Sequence, residues 1–173
     1  RDHVQFIVIA DNCTDQTSQK AVELGARVLN RTDLENKGKG HALAYAFQKL
    51  LFEQFDAFIM IDADTFVEKN FIRSFSALFS RGANAVQCRN LPVAPDESPR
   101  SRLMNLALLA FNVIRPRGRN KLGFSSGIFG NGFGLSRHAL ESVPYYPGSI
   151  AEDLEYHISL VRNGITVMFA DNT

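Results

Sequence analysis

Hydrophobic and polar positions change period repeatedly along this chain, and each change marks an element. Val4 to Ile9 is a β-branched, apolar run that reads as a buried strand. The polar stretch Ala10-Asp11-Asn12-Cys13-Thr14-Asp15-Gln16-Thr17 follows, rich in residues that cap helices and form turns. Thr17 to Leu24 carries Ala21, Val22 and Leu24 and stops at Gly25, which predicts a short helix. Arg27-Val28-Leu29 reads as a second strand. Leu43, Ala46, Phe47, Leu50 and Leu51 recur at helical spacing, predicting a helix from His41 to about Phe55. A strand over Phe58–Ile61, a helix over Glu68–Phe79 ended by Gly82, and a strand over Ala85–Arg89 come next. The order β-α-β-α-β-α-β predicts an α/β fold with a parallel sheet.

Beyond Arg89 the pattern is broken by Pro92, Pro95 and Pro99. An apolar helix over Leu103–Ile114 is flanked by Arg100, Arg102, Arg115, Arg117 and Arg119. It reads as a core helix with basic ends, the alternative being a helix lying on a membrane surface. Gly123, Gly127, Gly130, Gly132 and Gly134 then stand among aromatics and serines without a repeat, which suggests a binding loop. A short helix over Ser136–Val143, a loop over Pro144–Ile150, a helix over Glu152–Arg162 ended by Gly164, and a strand over Ile165–Phe169 complete the reading.

Composition narrows the class. The 173 residues suit one domain or most of a larger one, and 45% apolar residues can bury a sizeable core. A net charge of +1 gives no global argument for a nucleic-acid partner. Cys13 and Cys88 lack metal-ligand spacing and read as two reduced thiols of a cytoplasmic domain. No apolar run approaches the roughly 20 residues of a spanning helix. The chain opens at Arg1 almost directly on a strand and closes directly after another, so it is expected to be a fragment of a larger protein.

Candidate chemistry centres on Asp62-Ala63-Asp64 at the end of the third strand. If the extension continued, both carboxylates would point the same way and would repel unless a cation or donors lay between them. Carboxylate oxygens favour Mg²⁺ or Mn²⁺, and Mg²⁺ commonly adds phosphate oxygens to one or two carboxylates. The bland reading of the pair is a solvated acidic turn. Asp15 or Thr14 reads as a helix cap, whereas Asp11 lies too early for one and stands at a strand tip, where α/β sheets collect ligands. Lys37-Gly38-Lys39-Gly40 ahead of a helix reads either as a phosphate cradle or as a solvated basic turn. Glu152 and Asp153 suit the first turn of a helix through its dipole, and either could also serve as a general base.

These stretches in order, Ala10-Asp11-Asn12-Cys13-Thr14-Asp15, Lys37-Gly38-Lys39-Gly40-His41-Ala42-Leu43, Ile61-Asp62-Ala63-Asp64-Thr65, Gly130-Asn131-Gly132-Phe133-Gly134 and Ala151-Glu152-Asp153-Leu154-Glu155-Tyr156, are similar to family 2 glycosyltransferases. The resemblance is nearest to the bacterial cellulose-synthase-like and N-acetylglucosaminyltransferase-like branch, and it covers nearly the whole chain. It implies a GT-A fold, a mixed but mainly parallel sheet flanked by helices, incomplete at the N-terminus, where the family's first strand would precede Arg1. It also implies inverting transfer from a nucleotide-diphospho-sugar, such as a UDP-sugar, to an acceptor hydroxyl on a saccharide or lipid-linked acceptor.

By motif position Asp11 would contact the nucleotide base, Lys39 the base or diphosphate, and Asp62 the nucleotide. Asp64 would hold Mg²⁺ or Mn²⁺, with Asp62 beside it. Asp153 would be the catalytic base within the Glu152-Asp153 pair, and Gly130, Asn131 and Gly132 would line the acceptor side. The resemblance further implies polysaccharide or glycoconjugate synthesis at the cytoplasmic face of the membrane, with attachment through segments outside this chain. A sugar-phosphate nucleotidyltransferase and a non-catalytic nucleotide-sugar-binding domain are the alternatives. Ala10 stands where many members carry another aspartate, and the Gln-x-x-Arg-Trp segment of processive synthases does not occur in these residues.

Overall fold

The computed structural model describes residues 4–92, 98–148 and 151–172. Pro95 of the proline-interrupted stretch, and Ser149 and Ile150 of the expected 144–150 loop, lie outside the described residues. The chain divides into two compact units, one running up to Gln54 and including Tyr145–Gly148, the other formed by the rest.

In the first unit, strand β1 (Ile7–Asp11) pairs in parallel with β2 (Arg27–Arg31), with Ile7 opposite Arg27 and Asp11 opposite Arg31. Helix α1 (Thr17–Glu23) connects them. The first strand begins later than Val4 and runs on to Asp11, so that Asp11 is its last residue. The cap position of α1 is Gln16, not the expected Asp15 or Thr14; Asp15, just before it, accepts from the Thr17 amide at 3.0 Å and the Thr17 hydroxyl at 2.6 Å. These bonds hold its carboxyl below the usual range.

Helix α2 (Lys39–Leu50) buries Ala42, Leu43, Ala46, Phe47 and Leu50, the predicted stripe. It starts two residues before His41 and ends well before Phe55. Past its end Glu53 makes a bidentate pair with Arg27, at 2.6 and 2.7 Å. The Phe47 ring meets Tyr145 edge to face at 5.5 Å.

The second unit contains β3 (Ala57–Met60), α3 (Phe71–Phe79), β4 (Ala85–Cys88), α4 (Pro99–Leu109), a π-helical turn (Ala110–Ile114), α5 (Arg115–Lys121), β5 (Phe133–Ser136), α6 (Arg137–Ser142), α7 (Glu152–Arg162) and β6 (Val167–Ala170). Its four-stranded sheet has the order β3-β5-β4-β6. β5 runs antiparallel to both of its neighbours, while β4 and β6 pair in parallel. The sheet is therefore mixed: β3, β4 and β6 share one direction and β5 opposes them.

β5 begins within the glycine-rich stretch expected to be a binding loop and runs past it to Ser136, and its Phe133 and Leu135 are completely buried. At Gly134 a side chain would come within 2.8 Å of the Phe75 ring and 3.0 Å of Phe79, so glycine lets the strand press onto α3. Phe71, Phe75, Ala83, Val86, Cys88 and Ala170 form a core cluster, against which Ile59, Ile72, Leu78, Phe79 and Met168 pack. Burial of one such phenylalanine side chain contributes about 1.5–3 kcal/mol.

The helix expected over Leu103–Ile114 forms, but not as a core helix. Ser98 caps it by accepting from the Ser101 amide at 3.2 Å, and Pro99 occupies its first turn. α4 buries none of its residues, and Leu103 and Leu106 are 70% and 61% exposed. Apolarity reports that a surface gains from cover, not which segment supplies it. The π-helical turn precedes Pro116, which has no N–H to donate one turn back, so the helical ladder shifts register there.

Candidate active site

β3 stops at Met60, so the acids after it sit on a turn rather than on an extended strand. Asp62 to Thr65 closes through the Thr65 amide donating to the Asp62 carbonyl at 3.1 Å. The expectation that strand alternation aims Asp62 and Asp64 to one side therefore does not apply. What the turn provides is two carboxylates on one short segment, Asp62 half-buried and Asp64 exposed.

Asn131 ties this turn to the glycine-rich segment. Its Oδ1 accepts from the Asp62 amide at 3.0 Å, and its Nδ2 donates to Thr65 Oγ1 at 2.8 Å. On either side of this clamp, the Gly132 amide donates to the Met60 carbonyl at 3.0 Å and the Gly132 carbonyl accepts from Cys88 at 2.8 Å.

A residue that the hydrophobic pattern passed over supports the same loop from beneath. Gln87 on β4 is completely buried. Its Nε2 donates to the carbonyls of Asn131 at 2.8 Å and Gly132 at 3.1 Å, and its Oε1 accepts from the Phe129 amide at 3.0 Å. A buried amide left without partners would be costly, so its bonds fix the 129–132 backbone. The available signal in the sequence was a glutamine between Val86 and Cys88 in a strand.

Asp153 closes the constellation. It lies in the first turn of α7 with Glu152 and Glu155, where the helix dipole favours negative charge. Its Oδ2 occupies the space that a side chain at Gly130 would need, and Gly130 has φ 79°. Gly132, at φ 65°, likewise leaves its side-chain space to Cys88 Sγ. The second unit thus brings together Asp62, Asp64, Gly130, Asn131, Gly132 and Asp153, residues drawn from three separate stretches of sequence. Glu152 shares the first turn of α7 and is half-buried.

Asp11 and Lys39 belong to the first unit. Asp11 Oδ1 accepts from Arg31 at 2.6 Å, and Arg31, itself buried, also reaches Asp33 at 2.8 Å and the Asn36 carbonyl at 2.7 Å. Asn12 adopts φ 55°, a conformation that costs most residues energy. Its side chain exchanges two hydrogen bonds with the Asp33 backbone, at 3.0 and 2.8 Å. The strand tip carrying Asp11 is consequently rigid. Lys39 opens α2 and is exposed, in a first turn that holds no acidic residue.

Among the described residues no three His, Cys, Asp or Glu side chains converge as a complete protein-made metal cage would require. A turn bearing two carboxylates fits the other mode, in which a hard cation takes few protein ligands and fills its shell from phosphate and water. Also among the described residues, no helix is long and apolar enough to cross a membrane.

Comparison with curated proteins finds no match. Solved structures share the fold. Glucosyl-3-phosphoglycerate synthase from Mycobacterium tuberculosis, in complex with Mn²⁺, UDP-glucose and phosphoglyceric acid, is 24% identical, with a TM-score of 0.57 over 95% of this chain and 58% of its own. A mannosyltransferase from Pyrobaculum calidifontis, in complex with GDP-mannose and Mn²⁺, is 16% identical, with a TM-score of 0.65 over 97% of this chain and 46% of its own. The chain spans a little over half the length of the first of these and under half of the second. The α/β architecture with its mixed sheet is the GT-A fold of these glycosyltransferases. Residues 57–173, the stretch that carries the acidic turn, the Asn131 clamp and Asp153, match the family profile of glycosyl transferase family group 2, and the chain belongs to that family.

Proposed function

We propose that this chain is the donor-binding and catalytic part of an inverting glycosyltransferase, which moves a sugar from a nucleotide-diphospho-sugar to an acceptor hydroxyl. One observation carries the reading: the Asp153 carboxylate lies against Gly130, in the loop that Asn131 bonds to the Asp62–Thr65 turn. A candidate base and a candidate diphosphate-metal turn are thereby held on one rigid frame.

Asp153 is the general base. It lies in the first turn of α7 and takes a proton from the acceptor hydroxyl. The deprotonated oxygen attacks the anomeric carbon from the face opposite the leaving diphosphate, and the centre inverts. Gly130, Asn131 and Gly132 line the acceptor side, where a backbone without side chains admits the acceptor close to Asp153. On the motif resemblance alone, Asp11 is assigned to the nucleotide base, Lys39 to the base or diphosphate, and Asp62 to the nucleotide.

Asp64, with Asp62, would hold Mg²⁺ or Mn²⁺, which would supply charge neutralisation for the departing diphosphate. Mn²⁺ accompanies a nucleotide sugar in both of the solved structures named above, UDP-glucose in one and GDP-mannose in the other. We assign a UDP-sugar donor, and a cellulose-synthase-like role in polysaccharide or glycoconjugate synthesis at the cytoplasmic face of a membrane, on the motif resemblance.

The test is Asp153→Asn in the full-length protein. Sugar transfer is expected to fall by about 10²–10⁴-fold, the usual contribution of a positioned general base, while UDP affinity stays unchanged. Transfer within a few-fold of the parent would remove Asp153 from that role.

A further inference from the structure

A cationic cluster that the reading above does not use lies on α5, against Phe129 and near His157 of α7. Arg115, the first residue of α5, places its guanidinium 3.6 Å from the centre of the Phe111 ring and 5.2 Å from that of Phe129. The two rings are themselves 6.0 Å apart. Stacking on ring faces fixes the plane of the guanidinium and leaves its edge N–H groups available.

One helical turn further on, Arg119 donates through Nε to the Ser125 carbonyl at 2.6 Å, which leaves its terminal amino groups to other partners. Ser125 Oγ lies 2.8 Å from His157 Nε2 and accepts from the Val167 amide at 3.0 Å. Burial, reinforced by the charges of Arg119 and Arg115, pushes the His157 pKa down. Desolvation and the neighbouring Arg119 charge likewise lower the Arg115 pKa.

Among the described residues no carboxylate pairs with Arg115 or Arg119. The contrast with Arg117 is direct, since that residue on the same helix makes a bidentate pair with Asp171, at 2.7 and 2.6 Å. Two like charges held close together, one of them braced between aromatic rings, carry an unfavourable electrostatic energy that an anion between them would relieve.

Two covalent links place the cluster next to the proposed acceptor side. Phe129, under Arg115, directly precedes Gly130, which touches Asp153. His157 follows Asp153 by one turn on α7, on the same face of the helix.

We propose that Arg115 and Arg119, with His157 beside them, bind an anionic group of the acceptor, a phosphate monoester or its carboxylate equivalent, and so hold the acceptor hydroxyl toward Asp153. The inference rests on the glycosyltransferase reading for the identity of the acceptor. The binding of an anion at this cluster stands apart from it. The source of the phosphate is either a soluble phosphorylated molecule or a lipid-borne phosphate, and the apolar residues exposed along α4 give the second source a surface to meet.

The experiment uses the full-length protein and its Arg115→Gln/Arg119→Gln double variant, with intact folding verified by an unchanged melting temperature. Both substitutions fall on solvent-exposed side chains. In one arm inorganic phosphate is titrated calorimetrically. In the other, proteins are floated with phosphatidylcholine vesicles made with and without phosphatidic acid.

Phosphate affinity at least about tenfold weaker in the variant supports a soluble phosphorylated acceptor. Flotation that requires phosphatidic acid and is lost in the variant supports a lipid-borne one. Phosphate affinity and flotation that are both absent in the parent, or both equal in parent and variant, overturn the proposal. Titration with UDP and Mn²⁺ runs in parallel. Failure to bind UDP counts against the proposed function, whereas loss of phosphate binding with UDP binding kept isolates the anion cluster.

Discussion

Gly130 and Asn131 show how much of this site depends on single side chains and on one missing side chain. At Gly130 both the backbone angle, φ 79°, and the Asp153 carboxylate oppose a Cβ. Gly82 has a comparable φ of 89° with open space around it, so it isolates the backbone part of the cost. Gly130→Ala is expected to lower stability by about 1–3 kcal/mol and also to displace Asp153, reducing transfer sharply. Gly82→Ala should show only a stability loss of about 1–2 kcal/mol, with transfer intact. Denaturant midpoints and initial rates for the two variants separate these effects, and equal rates would mean that the Gly130 contact does not position Asp153. The glycine-rich stretch that contains the Gly-Asn-Gly pattern was read in the sequence as a binding loop. That its asparagine would reach back to Asp62 and Thr65 was not, because the partners are more than sixty residues away in the chain.

Helix α7 couples the site to the sheet, and its chemistry can be followed by pH. Burial and the two arginines depress the His157 pKa in the folded protein below that of the unfolded chain. The unfolded state then binds the extra proton first. Stability contributed by neutral His157 is fully present above about pH 6.5 and is lost as pH falls from there through the folded pKa. Asp33 and Glu53, whose pKa values are lowered by hydrogen bonds from Asn36 and Arg27 respectively, act only in the more acidic carboxylate range. Urea unfolding between pH 7 and pH 5 is expected to show falling stability in the parent and a flatter profile in His157→Asn. Parallel profiles would detach the pH dependence from this residue. The helix itself was legible from Glu152 to Arg162 in spacing and acidic start. The sequence offered no sign that its histidine would meet Ser125, a residue within a glycine-rich stretch.

Over the whole molecule, the proposed chemistry asks a strand-end turn to supply cation ligands that are completed by the nucleotide. Asp64→Ala in the full-length protein should abolish the gain in UDP affinity on adding Mn²⁺ while leaving metal-free affinity unchanged, as calorimetry would reveal. The same Mn²⁺ effect in parent and variant would take Asp64 out of the metal role. The chain by itself determined most of what is local. Periodicity, caps and breakers are read over a few residues, so α1, α2, α3, α6 and α7 and the strands β1 to β4 and β6 were expected close to where they lie. The placement of Asp11 at the end of β1 and of Asp62 just past the end of β3 followed from the same signals. Tertiary structure alone decided the rest. β5 gains its strand form from insertion between β3 and β4, with Phe133 and Leu135 buried and Gly134 under Phe75, not from local propensity. Likewise α4 carries a core-like composition yet stays exposed among the described residues, because burial is a property of what packs on a surface. Gln87, Asn131 and Gly130 become a frame for Asp62 and Asp153 only when distant backbones approach within hydrogen-bonding range, and no local pattern encodes that approach.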